Sequence, residues 1–272
     1  MKKIKSKVIV ITGAGSGIGR ALAVQCAKEG AKLALNDFDK KGLDETIALL
    51  DKTEVISTVF DVSNREAFYS FAEQVISHFK EVDIVINNAG VSLGKQSVIQ
   101  TPWEEFEWIM NINLWGVING SKIFLPYLMK QKEASLVNVS SVFGLMGIAD
   151  QTPYCTTKYA VRGFTESLRM EMLEENVNVI SVHPGGIKTN IARNGRGWVH
   201  VEDKEKMIAL FEKETLKHTP EKAANIIISG IKKNKEKVLI GSEAYVIDWA
   251  SRLSPLRFPK FIFKQMKKKM NL

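Results

Sequence analysis

The chain predicts an α/β fold: a doubly wound, mainly parallel β-sheet with helices on both faces, folded as a single domain. Three observations carry that expectation. Short runs rich in Val, Ile and Leu recur along the chain, each is followed by a stretch with helical spacing of its apolar residues, and the first run opens into a glycine-rich turn. A strand that is apolar almost throughout is buried on both faces, as in a parallel sheet held between two helical layers.

In order, residues 7–12 (KVIVIT) read as a β-branched strand, and 17–29 have the length and composition of a helix. Residues 32–37 (KLALND) repeat the strand pattern, and 39–51 carry Leu43, Ile47 and Leu50 at helical spacing before a third strand at 55–61. Ser63 and Glu66 read as a capping box opening a helix that reaches His78. After a fourth strand at 82–87, Thr101, Pro102 and Glu104 supply cap, first-turn proline and boxed glutamate for a long helix toward Lys130, slowed at Gly116 and Gly120. A fifth strand at 135–140, a helix at 152–176, a sixth strand at 177–183, a helix from Pro220 and a seventh strand at 237–240 complete the alternation. Right-handed crossovers place every strand-to-helix turn on one edge of such a sheet. The segments after Thr12, Asp37, Asp61, Asn87, Ser140 and His183 should therefore converge on one crevice.

Composition narrows function by exclusion. The 272 residues, 45% hydrophobic, suffice for one full core. Cys26 and Cys155 show neither CxxC nor Cys/His ligand spacing, so neither a disulfide framework nor a metal site is expected, and a reducing, cytoplasmic setting suits them. The start MKKIKSKVIVIT is basic, but its apolar run spans only 8–11 and no cleavage pattern follows, so export is not expected. No apolar run approaches the roughly 18 residues of a membrane span. The net charge is +8, and Arg252, Arg257, Lys260, Lys264, Lys267, Lys268 and Lys269, with no acid among residues 252–272, account for all but +1 of it. A near-neutral body without a basic stripe argues against nucleic acid as a partner.

The stretch that carries chemistry is 141–158. On a helix from about residue 152, Lys158 lies one turn above Tyr154 on the same face. A free phenol has a pKa near about 10, and a nearby ammonium favours the phenolate, which opens acid–base chemistry to Tyr154. Ser141 closes the preceding strand, where its hydroxyl can point at the same substrate oxygen. An amphipathic helix can also carry Tyr and Lys four apart with no chemistry at all, so the remainder of the chain decides.

The turn after the first strand reads Thr12-Gly13-Ala14-Gly15-Ser16-Gly17-Ile18-Gly19. Glycines there permit a tight turn and let a pyrophosphate approach backbone amides at a helix N-terminus. The plain GxGxxG spacing fails from Gly13, because Ile18 occupies its sixth place. Asp37 ends the second strand, where a carboxylate accepts from a ribose diol and repels a 2′-phosphate. Neither Ser16 nor Phe38 supplies a cation for that phosphate, so NAD is expected over NADP.

Together these residues resemble the short-chain dehydrogenase/reductase family. The matches are the TGxxxGxG turn, Asn87-Asn88-Ala89-Gly90, Asn113 in the NxxG ending at Gly116, Ser141 with the YxxxK of Tyr154 and Lys158, and Pro184-Gly185 with Thr189, across residues 5–241. The resemblance implies a Rossmann-type catalytic unit over 1–241, with 186–219 as the substrate-binding segment and 242–272 as a basic, apolar tail. It implies that Lys158 bonds the nicotinamide ribose, Tyr154 moves the proton, Ser141 holds the substrate oxygen, and Asn113 holds a water linking Lys158 to solvent. It implies cofactor contacts at Gly13, Ser16, Gly17, Ile18, Gly19, Asp37 and Phe38, at Asp61 and Val62 round the adenine, and at Asn88, Ala89 and Gly90 by the adenosine ribose. Pro184, Gly185, Ile187 and Thr189 would complete the set, Thr189 at the carboxamide. A homodimer or homotetramer is implied, with the helices after Thr101 and Gln151 as contact surfaces.

Residues 186–219 should be a mobile cover bringing Ile187, Ile191, Trp198, Val199, Met207, Leu210 and Phe211 over walls formed by Val91, Leu93, Phe143, Leu145, Met146 and Ile148. Half of these apolar residues could instead be core. No Arg or Lys stands among the walls, so the expected substrate is an uncharged, lipophilic secondary alcohol or ketone, oxidised or reduced with NAD. The competing readings are a dinucleotide-binding regulator without turnover and an epimerase or dehydratase on a nucleotide sugar. The complete set of Asn113, Ser141, Tyr154 and Lys158 disfavours the first, and the lack of room for a separate substrate domain disfavours the second. His183, at a strand end without a carboxylate partner, reads as an ordinary satisfied histidine, and Cys155 is given no role. Residues 247–272 combine Trp249, Leu253, Phe261 and Phe263 with the seven cations, broken by Pro255 and Pro259. This suits peripheral contact with an anionic membrane, a solvated tail, or a strap across a neighbouring subunit.

Overall fold

The structure, a computed structural model, describes residues 1–197 and 204–269. Seven strands form one sheet: β1 (Val8–Thr12), β2 (Lys32–Asp37), β3 (Val55–Val59), β4 (Ile84–Asn87), β5 (Ala134–Val139), β6 (Val177–Pro184) and β7 (Lys237–Ile240). Their order is β3-β2-β1-β4-β5-β6-β7 and every pairing is parallel. The helices are α1 (Gly17–Lys28), α2 (Lys40–Ile47), α3 (Arg65–Phe79), α4 (Trp103–Met110), α5 (Gly116–Leu128), α6 (Thr152–Glu171), α7 (Lys204–Thr215), α8 (Pro220–Lys232), α9 (Ser242–Leu253) and α10 (Arg257–Lys269). The doubly wound sheet expected from the sequence is the observed fold.

Both faces of the sheet are covered because both faces of its strands are apolar. Ile9 and Ile11 of β1 join Leu33, Ile84, Val137 and Ile180 under α1 and α8, in a core layer with Leu22, Cys26, Ile227 and Ile231. Val8 and Val10 point the other way, with Val85, Leu136 and Val179, against Phe68, Phe71, Val75 and Phe124. Phe60, Phe68, Phe71 and Phe124 meet at tilted and edge-on angles, which suit the ring quadrupoles. Sheet order reverses between β1, followed outward by β2 and β3, and β4, followed outward by β5, β6 and β7. The crevice at the carboxyl ends of β1 and β4 is the switch point at which such sheets bind ligands.

Helix ends depart from expectation for local reasons. Asn64, not Ser63, caps α3: its Oδ1 accepts the Ala67 N–H at 3.0 Å, while the Ser63 N–H is already taken by Asp61 Oδ1 at 2.9 Å. Thr101 does not cap α4; its hydroxyl donates to the Ser97 carbonyl at 2.9 Å, and Pro102 holds the cap position. The long helix expected from 101 to 130 is two helices joined by a π-helical turn, Asn111–Trp115. α2 and α6 also stop short, at Ile47 and Glu171. The C-terminal region contains two helices: Pro255 lies in the turn between them, and Pro259 sits in the first turn of α10, where a missing N–H costs nothing.

Candidate active site

Tyr154 and Lys158 face the same way from the first two turns of α6. The Lys158 ammonium lies 5.6 Å from the Tyr154 ring centroid and donates to the Val139 carbonyl at 3.1 Å, at the end of β5. The Ser140 hydroxyl fastens the same junction by donating to the Lys158 carbonyl at 2.8 Å. Ser141 follows in an extended conformation, its hydroxyl accepting the Phe143 N–H at 3.1 Å. Phe143 then stands edge-on to Tyr154, with ring centroids 6.0 Å apart.

The electrostatics differ from the expectation that Lys158 depresses the tyrosine. Burial penalises both charged forms, pushing the Tyr154 phenol up to about 12 and the Lys158 ammonium down to about 8. The Ser141 side chain pulls the phenol back only partway. In this state the proton stays on Tyr154, and Lys158 is the group that titrates nearer neutrality.

Asn113 sits wholly buried in the π-helical turn. Its Oδ1 accepts the Val91 N–H at 2.8 Å, and its Nδ2 donates to the Val91 carbonyl at 2.9 Å and the Thr157 hydroxyl at 3.3 Å. The side chain thus clamps the loop after β4 to the helix that carries Tyr154. Gly90 fills the gap beside it; a Cβ there would stand 3.3 Å from Asn113 Oδ1 and 3.4 Å from Lys158 Nζ.

The glycine turn is built for close approach. Gly13 and Gly17 have φ of 68° and 51°, and a Cβ on Gly19 would lie 1.9 Å from the Gly13 carbonyl oxygen. α1 starts with no side-chain cap and no acid in its first turn, so its N-terminal amides and positive dipole end suit an anion. Asp37 closes the turn from β2, its Oδ2 accepting the Gly15 N–H at 2.7 Å and its Oδ1 the Asp39 N–H at 2.9 Å. Burial raises its pKa, and these amides offset that only in part. Arg20, which also reaches the Gly15 carbonyl, is held by Thr46, Gly42 and Glu45.

The other expected cofactor residues divide by what their side chains do. Asn88 donates to the Thr12 and Gly13 carbonyls at 2.9 and 3.2 Å, and the Asn88 and Ala89 amides both bond the Thr12 hydroxyl, locking the β1 and β4 turns together. Val62 and Ile187 are each 5% exposed and pack into the two core layers, so only their backbones are left for a ligand. Phe38 and Asp61 are exposed at the crevice edge, and Thr189 packs over Gly17. Ser16 and Ile18 lie at the start of α1, with Pro184 and Gly185 at the end of β6. Leu145, expected as a wall, packs beneath α9 with Leu239 and Ala244. Met207, Leu210 and Phe211 fall on α7, and Trp198 and Val199 lie outside the described residues.

His183, read from the sequence as an ordinary satisfied histidine, is one: it bridges the Ser141 carbonyl and the Ser181 hydroxyl. Two supporting features were not anticipated. Glu243, from α9, accepts the Gly186 N–H at 3.1 Å and faces His218 at 3.2 Å; burial opposes its ionisation, but these partners and its own amide hold its pKa below the usual range. The segment after β6 is tied to the loop after β4 and to α4: Ser92 donates to the Ile191 carbonyl at 2.7 Å, Leu93 bridges Arg196, and the Arg196 guanidinium lies 4.2 Å from the Trp108 ring centre.

A doubly wound parallel sheet that gathers a glycine turn, a strand-end carboxylate and a Ser–Tyr–Lys group at one crevice defines an oxidoreductase of the dinucleotide-binding class. The chain belongs to the short-chain dehydrogenase family, whose model matches residues 7–199. It is 41% identical over 266 residues to the Mycobacterium tuberculosis protein SadH, named as an oxidoreductase, covering 96% of each chain. It is 34% identical over 209 residues to levodione reductase of Leifsonia aquatica, covering 75% of this chain and 78% of the relative. A Burkholderia phymatum short-chain dehydrogenase/reductase solved in complex with NAD superposes with a TM-score of 0.84 at 28% identity, over 93% of this chain and 95% of that one. A Thermococcus sibiricus alcohol dehydrogenase complexed with 5-hydroxy-NADP gives 0.73 at 27%, over 86% and 95%. The uncapped start of α1, the tight turn that the glycines permit and the Asp37 carboxylate fit a nicotinamide dinucleotide.

Proposed function

We propose that the protein oxidises or reduces an uncharged, lipophilic secondary alcohol or ketone, with NAD preferred to NADP. The observation that carries this reading is the meeting of Ser141, Tyr154 and Lys158 at the carboxyl edge of the sheet, beside the glycine turn. When bound, the nicotinamide accepts or supplies the hydride. Ser141 would hold the substrate oxygen by its hydroxyl, and Tyr154 would give its phenolic proton to that oxygen in reduction and take it back in oxidation. Lys158 would reach the nicotinamide ribose and stabilise the phenolate as the proton leaves. Asn113 would keep α6 in register with the loop after β4, and the residues from Gly13 to Gly19, Asn88 to Gly90 and Pro184 to Thr189 would line the cofactor.

Phe143 beside Tyr154 and buried Leu93 support an apolar substrate, and the relative named levodione reductase supports a carbonyl one. The preference for NAD rests on Asp37, whose carboxylate would accept from the ribose and repel a 2′-phosphate, and on Arg20 being engaged by Glu45. Exposed Trp103, Tyr159 and Met170 on α4 and α6 favour a homodimer or homotetramer through these helices, and two free, buried cysteines favour a cytoplasmic setting. The test is absorbance at the reduced-nicotinamide band with NAD and NADP in parallel, across medium- and long-chain secondary alcohols and ketones. Turnover faster with NAD and abolished by Tyr154→Phe is the expected result. Cofactor binding with no turnover across the panel would favour a regulator instead.

A further inference from the structure

α9 is apolar on both sides. Ala244 and Ile247 face inward, onto Val142, Leu145 and Leu239, while Tyr245, Trp249 and Leu253, spaced by four, are 51%, 66% and 78% exposed. A helix on the surface of a globular protein ordinarily turns charged residues outward. Further exposed apolar residues follow along the chain, Leu256, Phe261 and Phe263 at 77%, 56% and 52%. Among them stand Arg257, Lys260 and Lys264, all exposed and without an ion pair among the described residues, and the sequence adds Lys267, Lys268 and Lys269. Beside Tyr245, a cavity of about 520 Å³ between α8, β7 and α9 is rimmed by Lys222 and Lys235 over Val238 and Leu239.

The charge decides the occupant. A symmetric contact between two copies would set this basic surface, with no acid from residue 249 onward, against itself. An anionic bilayer meets both features, since Trp, Tyr and Phe settle at the headgroup boundary while lysines pair with lipid phosphates. No described helix is long and apolar enough to cross a membrane, so contact would be at the surface.

We infer that the outward face of α9 and α10 is a docking surface for an anionic lipid bilayer. α9 starts at the carboxyl end of β7, the sheet edge that carries the candidate active site, and packs against Phe143, the neighbour of Tyr154. Docking therefore sets that edge next to the bilayer, whatever the substrate proves to be.

Co-sedimentation of the full chain with vesicles tests this, comparing equimolar phosphatidylcholine and phosphatidylglycerol with phosphatidylcholine alone. Two double variants go in parallel, Lys260→Glu with Lys264→Glu, and Trp249→Ser with Leu253→Ser, each checked for native circular dichroism. The expected result is binding that requires phosphatidylglycerol, weakens with salt, and falls more than about tenfold on charge reversal, each basic residue near such a surface being worth roughly fivefold. Equal binding to both vesicle types, or a charge-reversed variant that binds like the parent, would overturn it. So would a Trp249/Leu253 variant that changes oligomeric state in analytical ultracentrifugation yet binds vesicles unchanged, which would make the face a subunit contact.

Discussion

His183 Nδ1 lies 3.0 Å from the backbone carbonyl oxygen of Ser141, and its Nε2 lies 2.8 Å from the Ser181 hydroxyl. A carbonyl only accepts, so Nδ1 carries the proton and Nε2 accepts from Ser181. The imidazole, wholly buried, thereby holds the residue whose hydroxyl stands at the candidate active site.

This histidine should make stability depend on pH. Burial, assisted by Lys237 and Arg162, pushes its pKa down to about 4 from an ordinary 6.5. Between those values the unfolded chain binds the extra proton, so stability is full above pH 6.5 and declines as pH falls toward 4, by about 3 kcal/mol in all. His183→Asn, which can still donate near the Nδ1 position, should lose most of that dependence in urea unfolding at successive pH values. His183→Leu should cost about 1–3 kcal/mol at pH 7 by orphaning the Ser141 carbonyl. A pH dependence identical in the parent and the Asn variant would show that His183 is not the titrating group.

Titration of the cofactor-free protein should separate Tyr154 from Lys158. With the phenol near 12 and the ammonium near 8, the lysine loses its proton first, and no tyrosinate absorbance belonging to Tyr154 should develop around pH 8. The difference spectrum between the parent and Tyr154→Phe isolates that signal. A tyrosinate band present in the parent near neutrality and missing in the variant would mean that Lys158 governs the phenol more strongly than burial does.

Asp37→Ala should weaken NADH binding by roughly 10- to 100-fold, the worth of hydrogen bonds to a charged group, while NADPH binding falls less or improves. The variant removes the acceptor of the Gly15 N–H along with the negative charge. Fluorescence titration with both reduced cofactors measures the ratio. An equal loss for both would leave the carboxylate shaping the turn without discriminating at the 2′ position.

How much of this was legible in the sequence depends on the range of the interactions involved. The strands were, because Ile9 and Ile11 feed one layer, Val8 and Val10 the other, and doubly apolar runs betray a parallel sheet. The Ser141, Tyr154 and Lys158 group was, because a strand end and one helix turn set its geometry. The α3 cap was not: Ser63 and Asn64 are both good caps, and Asp61 settled the matter by capturing the Ser63 amide. The π-helical turn at Asn113 has no spacing signature. The Glu243–Gly186 and Ser92–Ile191 contacts join residues 57 and 99 positions apart, beyond any local pattern. Whether Ile187 would line a pocket or fill the core was equally beyond reach, since an isoleucine suits either.

Gly120 tests the same distinction between local preference and packing. Propensity alone says that Ala in place of Gly inside α5 stabilises by about 1 kcal/mol. Here a Cβ would fall 2.0 Å from Asn87 Oδ1 and 2.9 Å from the Phe68 ring. Asn87 cannot retreat without breaking its bonds to Asn138 at 2.8 Å and Ser121 at 3.1 Å, and Asn138 in turn holds Thr165 at 3.1 Å, a buried thread from β4 across β5 to α6. Gly120→Ala should therefore reverse the expected sign and destabilise by about 1–3 kcal/mol in urea unfolding, the ordinary cost of overpacking. Because the thread ends on the helix that bears Tyr154 and Lys158, turnover should fall as well. A Gly120→Ala variant as stable as the parent would mean that α5 can move off the sheet without loss, and that the tight contact of helix and strand does not set the site's geometry.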